Sequence, residues 1–204
     1  MFIDDDGRGY IIFSSPQHNH SVSIELLSPD YLSSSKQLVA TLPDVMVESP
    51  SLFRRNGIYY ATYGSCCCAC RAGSGQAVNW ALSPSGPWKR QYPYPDINCL
   101  STSAQICGEY HGHADELVWP AQWWGPSFIP LLNGDTTVLF MGRRWLSGPN
   151  NPSGCPRMCT DGQECNAEDY FLRSDYDVWL PVQFSADGHV LPMKALKEFV
   201  LMLS

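Results

Sequence analysis

The chain has 204 residues, a net charge of −7 and 44% hydrophobic residues, which suits one globular domain with a sizeable core. It has no dense run of Lys and Arg, and this argues against a nucleic-acid or anionic-membrane partner, because such partners require clustered cations. No apolar run approaches the ~20 residues that cross a bilayer. We therefore expect a single domain over residues 1–204 that acts as a monomer and needs no cofactor.

Four β-hairpins are predicted in chain order, each from an Asp-Gly or Asn-Gly pair between two apolar runs. Such pairs supply the positive φ angles that a tight hairpin turn requires. The four turns are centred on Gly7, Gly57, Gly134 and Gly188. Further strands are predicted at residues 21–27, 76–82 and 177–182, and no convincing long amphipathic helix is present.

The spacing of these turns predicts an all-β fold of the β-propeller type. The turns lie roughly 50 to 80 residues apart, and propeller blades repeat every ~40–50 residues. The longer intervals are explained by Cys-containing loop insertions at residues 91–112 and 147–170. A β-sandwich would also give serial hairpins, but not so long and even a period. About four blades are visible, and the first strand runs at once into its turn, so we expect a propeller that is incomplete at its N-terminus.

Nine cysteines lie mostly in loops rich in Gly, Ser and Pro. Loop cysteines at this density predict several disulfides and an extracellular or secretory location, although no signal peptide is visible. His18 with His20 and His111 with His113 are candidate zinc ligands. The cysteine spacings do not form a paired Cys-x2-Cys framework, so disulfides or free thiols are favoured and no metal is expected.

Several segments, in the right order along nearly the whole chain, resemble glycoside hydrolase family 43, in particular the branch related to exo-β-1,3-galactanases. Residues 47–57 (VESPSLFRRNG) resemble the stretch that carries the general acid of that family. The other similar segments are residues 1–10, 26–32, 64–68, 86–88, 120–122, 140–145 and 178–182. Each motif alone is weak, whereas the ordered set is fairly specific.

The resemblance implies a five-bladed propeller with its catalytic groups at the starts of the innermost strands, around a central funnel. It also implies an inverting acid/base mechanism. Two departures stand out. The acidic residue that modulates the pKa of the acid, and the carboxylate base, would both lie before Met1. In addition, Arg143 stands where many relatives have an acidic residue. We therefore expect the isolated 204-residue fragment to be inactive or very weak.

The resemblance makes Glu48 the candidate catalytic residue, as the general acid that protonates the leaving oxygen. From sequence context alone, Glu48 could equally be an edge-strand glutamate that faces solvent. The aspartates of the first turn, Asp4, Asp5 and Asp6, form a carboxylate cluster, but Asp before Gly is ordinary turn chemistry and is the favoured interpretation.

A second group of residues is predicted to bind substrate, because aromatic faces stack on sugar rings and amides bind hydroxyl groups. Blade packing is the alternative explanation for the adjacent tryptophans. The predicted binding residues are Gln122, Trp123, Trp124, Arg144 and Trp145.

Taken together, the sequence predicts a glycosidase-like domain whose partner is an oligo- or polysaccharide. The expected substrate is a plant- or algal-type galactan, arabinan or xylan. Two other classes stay open: a non-catalytic carbohydrate-binding propeller, and a Cys-rich structural or metal-binding module.

Overall fold

The computed structural model describes residues 1–65, 74–92, 121–144, 176–193, 196 and 198–203. The regular elements in this part of the chain are eleven β-strands and one 3-10 turn, Pro16–His18. The described residues include no helix with the length and hydropathy of a membrane span. All nine cysteines, most of residues 91–112 and all of residues 147–170 lie outside the described residues, so the predicted disulfides and loop insertions stay predictions.

The strands form three antiparallel sheets, each ordered as the chain runs. Sheet 1 contains β1 (Phe2–Ile3), β2 (Gly9–Ser15), β3 (Ser21–Leu27) and β4 (Ser34–Thr41). Sheet 2 contains β5 (Val47–Arg55), β6 (Ile58–Ser65), β7 (Ala77–Ala81) and β8 (Lys89–Arg90). Sheet 3 contains β9 (Gln122–Pro130), β10 (Thr136–Arg144) and β11 (Tyr176–Val182). Beyond it, Phe184 pairs with Val190.

These meandering sheets confirm the predicted all-β propeller fold, in which each sheet is a blade that begins with its innermost strand. The hairpin predictions are also confirmed, since the four turn glycines have φ between 79° and 91°. The tightest turn joins β5 to β6: Arg55 pairs with Ile58, and both intervening residues, Asn56 and Gly57, have positive φ. This is the geometry of a type I′ hairpin, whose twist matches that of the strands.

Strand β4 was not among the predicted strands. Its residues are mostly exposed polar side chains at the outer edge of sheet 1, so no apolar alternation marks it in the sequence. The register of β3 with β4 is also irregular at two places, which further weakens the period-two pattern. Position in the blade, rather than side-chain burial, makes this segment a strand.

Two hydrophobic cores pack the three sheets against one another. One core includes Tyr10, Ile24 and Tyr63, and it joins sheets 1 and 2. The other includes Phe53 and Trp123, and it joins sheets 2 and 3. Strand β5 contributes to both cores, because alternate side chains of a strand point to opposite faces. The position of β5 is therefore set by both neighbouring blades, and the candidate site lies at its start.

Candidate active site

Glu48 is the second residue of β5 and lies where the strand leaves regular pairing. It is opposite Gly64 of β6, and the register then shifts before Ser51. Two residues beside it have left-handed backbone conformations, Met46 with φ of 56° and Ser49 with φ of 53°. A bulge of this kind redirects side chains, and such bulges are common next to active sites. The backbone at the start of β5 is therefore irregular on both sides of Glu48.

The neighbouring blade holds the start of β5 through three hydrogen bonds. The amide of Met46 donates to the carbonyl of Asn19 at 3.0 Å, and the amide of Val47 donates to the carbonyl of His20 at 3.1 Å. The Ser14 hydroxyl donates to the Val47 carbonyl at 2.6 Å. Because both polar groups of Val47 bond to sheet 1, the backbone just before Glu48 has little freedom to move.

The surroundings of Glu48 favour its protonated form. The side chain is half-buried, and burial raises the pKa of its carboxyl group, while the nearby charge of His20 lowers it by a smaller amount. Removal from water disfavours a charged carboxylate, and this is how proteins keep a general acid protonated. Glu48 therefore faces neither bulk solvent nor a fully closed core.

Gln122 is the first residue of β9 and is buried, with 6% of its surface exposed. The residue before it, Ala121, accepts a hydrogen bond from the Ser74 amide at 3.2 Å. Ser74 in turn packs on Gly64, where any Cβ atom would collide with the Ser74 side chain. Gly64 is the pairing partner of Glu48. This short series of contacts brings the starts of β5 and β9 to the same region.

A second contact supports this placement. Gly125 of β9 lies against Ser51 of β5, so closely that a Cβ atom at Gly125 would be 2.8 Å from that of Ser51. Gln122 and Glu48 each lie three residues before this contact. Innermost strands of adjacent propeller blades run in the same direction, so both side chains belong to the same end of the propeller.

The two adjacent tryptophans have different environments because successive side chains of a strand point to opposite faces, and a bulge at Trp124 interrupts the pairing here. In the register with β10, Trp123 pairs with Gly142 and Gly125 with Met141, which leaves Trp124 unpaired between them. Trp123 is fully buried in the core between sheets 2 and 3. Its ring packs so tightly on Gly142 that a Cβ atom there would lie 2.9 Å from it. The predicted sugar-stacking role therefore does not suit Trp123, whose ring has a packing role instead.

Trp124, by contrast, is 40% exposed, and the guanidinium of Arg143 lies 6.0 Å from its ring centre. Arg143 also forms an ion pair with Asp177 of β11 at 3.0 Å. Arg144, the other predicted binding residue of β10, is partly buried at the end of that strand. Trp145 lies outside the described residues. The structure thus brings an accessible indole and two arginines to the end of sheet 3 that also carries Gln122.

The aspartates of the first turn have structural contacts, and those of Asp4 and Asp5 reach beyond the turn. The Asp4 side chain is buried and accepts a hydrogen bond from the Tyr59 hydroxyl at 2.6 Å. The Arg54 guanidinium lies 3.5 Å from Asp4 and also bonds Asp5. Asp6 pairs with Arg8 at 2.6 Å across the turn. Asp4 and Asp5 therefore connect the turn to β5 and β6, whereas the Asp6 pair lies within the turn.

A buried polar cluster close to the site had no clear signal in the sequence. The Tyr63 hydroxyl donates to Asp44 at 2.6 Å and accepts a hydrogen bond from Asn79 at 2.6 Å. Arg90 pairs with the same carboxylate at 2.5 Å. Asp44 precedes Glu48 by four residues and Tyr63 precedes its partner Gly64, so the cluster stabilises both strands at the site. Isolated polar residues from four segments give no motif to recognise.

Comparison with known proteins links this geometry to a family. The sequence model of "Glycosyl hydrolases family 43" matches residues 1–125. The "Beta-D-galactofuranosidase xynD" of Aspergillus niger is 38% identical over 60 residues, which are 29% of this chain and 17% of that protein.

Solved structures share the fold over almost the whole chain. An exo-β-1,3-galactanase from Clostridium thermocellum is 20% identical with a TM-score of 0.63, and the match covers 100% of this chain and 36% of that one. A family 43 β-1,3-galactosidase solved with galactodeoxynojirimycin is 24% identical with a TM-score of 0.61, over 97% and 45% of the two chains. An exo-β-1,3-galactanase from Phanerochaete chrysosporium, solved with β-1,3-galactotriose, is 21% identical with a TM-score of 0.58, over 96% and 34%.

The chain therefore spans less than half the length of these relatives. The family match nevertheless covers more than half of the chain itself, including the start of β5 with Glu48 and the start of β9 with Gln122. The chain belongs to glycosyl hydrolase family 43.

Proposed function

We propose that this chain contributes the general-acid side of a glycoside hydrolase site that cleaves O-glycosidic bonds in a galactan-like polysaccharide. Glu48 is the acid in this proposal. The observation that carries it is the half-buried carboxyl group at the start of an innermost blade strand, whose pKa is raised by burial. A general acid needs its proton at the working pH, and burial supplies this condition.

The proposed mechanism is inverting. Glu48 donates its proton to the departing sugar oxygen, while a water molecule activated by a base attacks the anomeric carbon from the opposite face. Gln122 lies at the same end of the propeller, and its amide can bind a sugar hydroxyl or orient the water. A neutral amide is a poor base, so Gln122 alone does not complete the reaction.

Galactose-containing polysaccharides are the preferred substrate class, with arabinans and xylans as alternatives. The support is that the similar solved proteins are named β-1,3-galactanases and a β-1,3-galactosidase, one of them solved with β-1,3-galactotriose. Trp124 offers an accessible ring for stacking on a sugar, and Arg144 is proposed to bind hydroxyl groups. Trp145, outside the described residues, stays a predicted binding residue. The nine cysteines favour an extracellular location.

The test uses Glu48→Gln in the complete gene product and two substrates whose leaving groups differ. Hydrolysis of β-1,3-galactobiose should fall roughly 10²–10⁴-fold, because a sugar alkoxide leaves poorly without a proton. Hydrolysis of 2,4-dinitrophenyl β-galactoside should fall much less, because that phenolate needs little protonation. Glu25→Gln, in strand β3 of another blade, is the matched control and should change neither rate. Equal losses on both substrates, or no loss on either, would contradict an acid role for Glu48.

Stereochemistry is tested separately by following the reaction with proton NMR. Inversion requires that the first product formed from a β-galactoside is the α-anomer, before mutarotation. Early appearance of the β-anomer would contradict the inverting mechanism while leaving Glu48 as an acid.

A non-catalytic carbohydrate-binding propeller is the second candidate. The observation that favours it is the ion pair between Arg143 and Asp177 beside the exposed Trp124, at a position where the resemblance leads us to expect an acidic residue. If galacto-oligosaccharides bind equally to the complete gene product and to its Glu48→Gln variant, and neither protein hydrolyses them, this second function is correct.

A further inference from the structure

Strained backbone is concentrated around Glu48. Seven non-glycine residues in the described part of the chain have positive φ, and four of them lie here: Asn19, His20, Met46 and Ser49. Left-handed conformations cost ordinary residues free energy, and they persist where the surrounding structure requires them, often at functional sites. Two of the four precede β3 in sheet 1, and the other two flank Glu48.

Asn19 and His20 are hydrogen-bonded across the blade boundary to the segment just before Glu48. The carbonyls of Asn19 and His20 accept the amides of Met46 and Val47 at 3.0 Å and 3.1 Å. His20 is therefore bonded to the residue that directly precedes Glu48. Its side chain is half-buried, whereas that of His18, two residues earlier, is exposed.

We propose that His20 is a positioning residue of the site proposed above: its imidazolium offsets the negative charge that remains on Glu48 after proton donation. This inference rests on the proposed function. When the leaving oxygen takes the proton, Glu48 becomes a carboxylate in a partly desolvated position, where charge is unfavourable. A neighbouring cation lowers the free energy of that state.

The electrostatics agree with this role. His20 is close enough to Glu48 to oppose the effect of burial on the pKa of the acid. Among the other charged groups on the segments that meet here, Asp44 and Arg90 are paired with each other, and His18 points to solvent.

The test is a titration of Glu48 by carbon NMR, in intact protein labelled at the glutamate carboxyl carbons. The signal of Glu48 is identified by its loss in Glu48→Gln. His20→Asn removes the cation and keeps a residue that tolerates left-handed φ, so the midpoint of Glu48 should rise by roughly half a pH unit. His20→Lys keeps a cation and should hold the midpoint near the wild-type value. His18→Asn is the matched control and should leave it unchanged.

The same variants should move the alkaline limb of kcat/KM by the same amounts, because that limb follows the loss of the proton from the acid. The inference is overturned if His20→Asn leaves the Glu48 midpoint unchanged, or if His20→Asn and His20→Lys shift it alike, as a purely structural role would. Its failure is distinguishable from that of the proposed function. If Glu48→Gln still hydrolyses the substrate, the proposed function is wrong. If Glu48→Gln loses activity but His20→Asn leaves the titration midpoint of Glu48 unchanged, only the role of His20 is wrong.

Discussion

Two carboxylates at the ends of neighbouring innermost strands have opposite environments. Asp4 directly follows β1 and is buried. Its carboxylate accepts a hydrogen bond from the Tyr59 hydroxyl and lies beside the Arg54 guanidinium. Glu48 lies at the start of β5, is half-buried, and has its pKa raised because burial outweighs the nearby charge of His20. The two groups therefore differ in their surroundings: Asp4 has a hydroxyl and a guanidinium beside it, whereas burial disfavours the charged form of Glu48.

The difference shows that burial alone does not mark a carboxyl group as a candidate acid. A carboxylate bonded by a hydroxyl and an arginine contributes to stability, because its charge is compensated within the fold. A carboxyl group whose charged form is destabilised has a proton to give and reduces stability when it ionises. Replacing each carboxyl group by its amide should therefore change the free energy of unfolding in opposite directions. Three variants test the comparison: the two amides, and Tyr59→Phe, which removes the hydrogen-bond partner of Asp4.

The largest expected effect on stability is that of Asp4→Asn. The amide removes the negative charge that Tyr59 and Arg54 bond, so the free energy of unfolding should fall by about 3 kcal/mol. Urea unfolding followed by tryptophan fluorescence measures this loss. Asp5→Asn removes an exposed carboxylate that contacts the same arginine and should cost no more than about 0.5 kcal/mol. Similar losses in both variants would show that Asp4 is not the residue that anchors the turn.

Tyr59→Phe should have a somewhat smaller effect that depends on pH. Burial, followed by the hydrogen bond to Asp4, raises the pKa of Tyr59 from 10.0 to about 12. A raised pKa means that the stabilisation is complete below pH 10 and is lost as the pH rises through 12. Between pH 10 and pH 12 the free energy of unfolding of the wild type should therefore fall by about 2 kcal/mol more than that of Tyr59→Phe.

Unfolding in urea at pH 9 and pH 12 measures this difference. Tyr92→Phe, which removes the hydroxyl of a ring that is 73% exposed, is the control and should match the wild type in stability at both pH values. A gap between the wild type and Tyr59→Phe that stays constant with pH would contradict the bond between Tyr59 and Asp4.

The smallest expected effect has the opposite sign. Because the pKa of Glu48 is raised from 4.5, its contribution to stability is complete below pH 4.5 and is lost as the pH rises through its value in the folded protein. Glu48→Gln cannot ionise, so it should be more stable than the wild type by about 1 kcal/mol at pH 7 and equal to it at pH 4. Thermal unfolding at the two pH values measures this gain, and a loss of stability at pH 7 would place Glu48 with Asp4 among the structural carboxylates.

Local signals in the sequence were sufficient for most of the secondary structure. The Asn56-Gly57 turn and the strand Ser21–Leu27 follow from turn residues and apolar alternation alone, because hairpin twist and burial on one face restrict the choice of residue at each position. Strand β4 could not be found in this way, since an exposed edge strand has no apolar face. Family resemblance, rather than local pattern, identified Glu48, because a single glutamate in an apolar run has no signature of its own.

The sequence by itself determined the order of hairpins and the all-β class, because these depend on contacts between residues close in the chain. The tertiary structure alone decided which of two adjacent tryptophans is exposed, since the packing of sheets 2 and 3 places Trp123 in their common core and leaves Trp124 outside. It also decided that Asp4 is held by Tyr59 and that His20 lies beside Glu48. These outcomes depend on how neighbouring blades pack, and packing joins residues far apart in the chain.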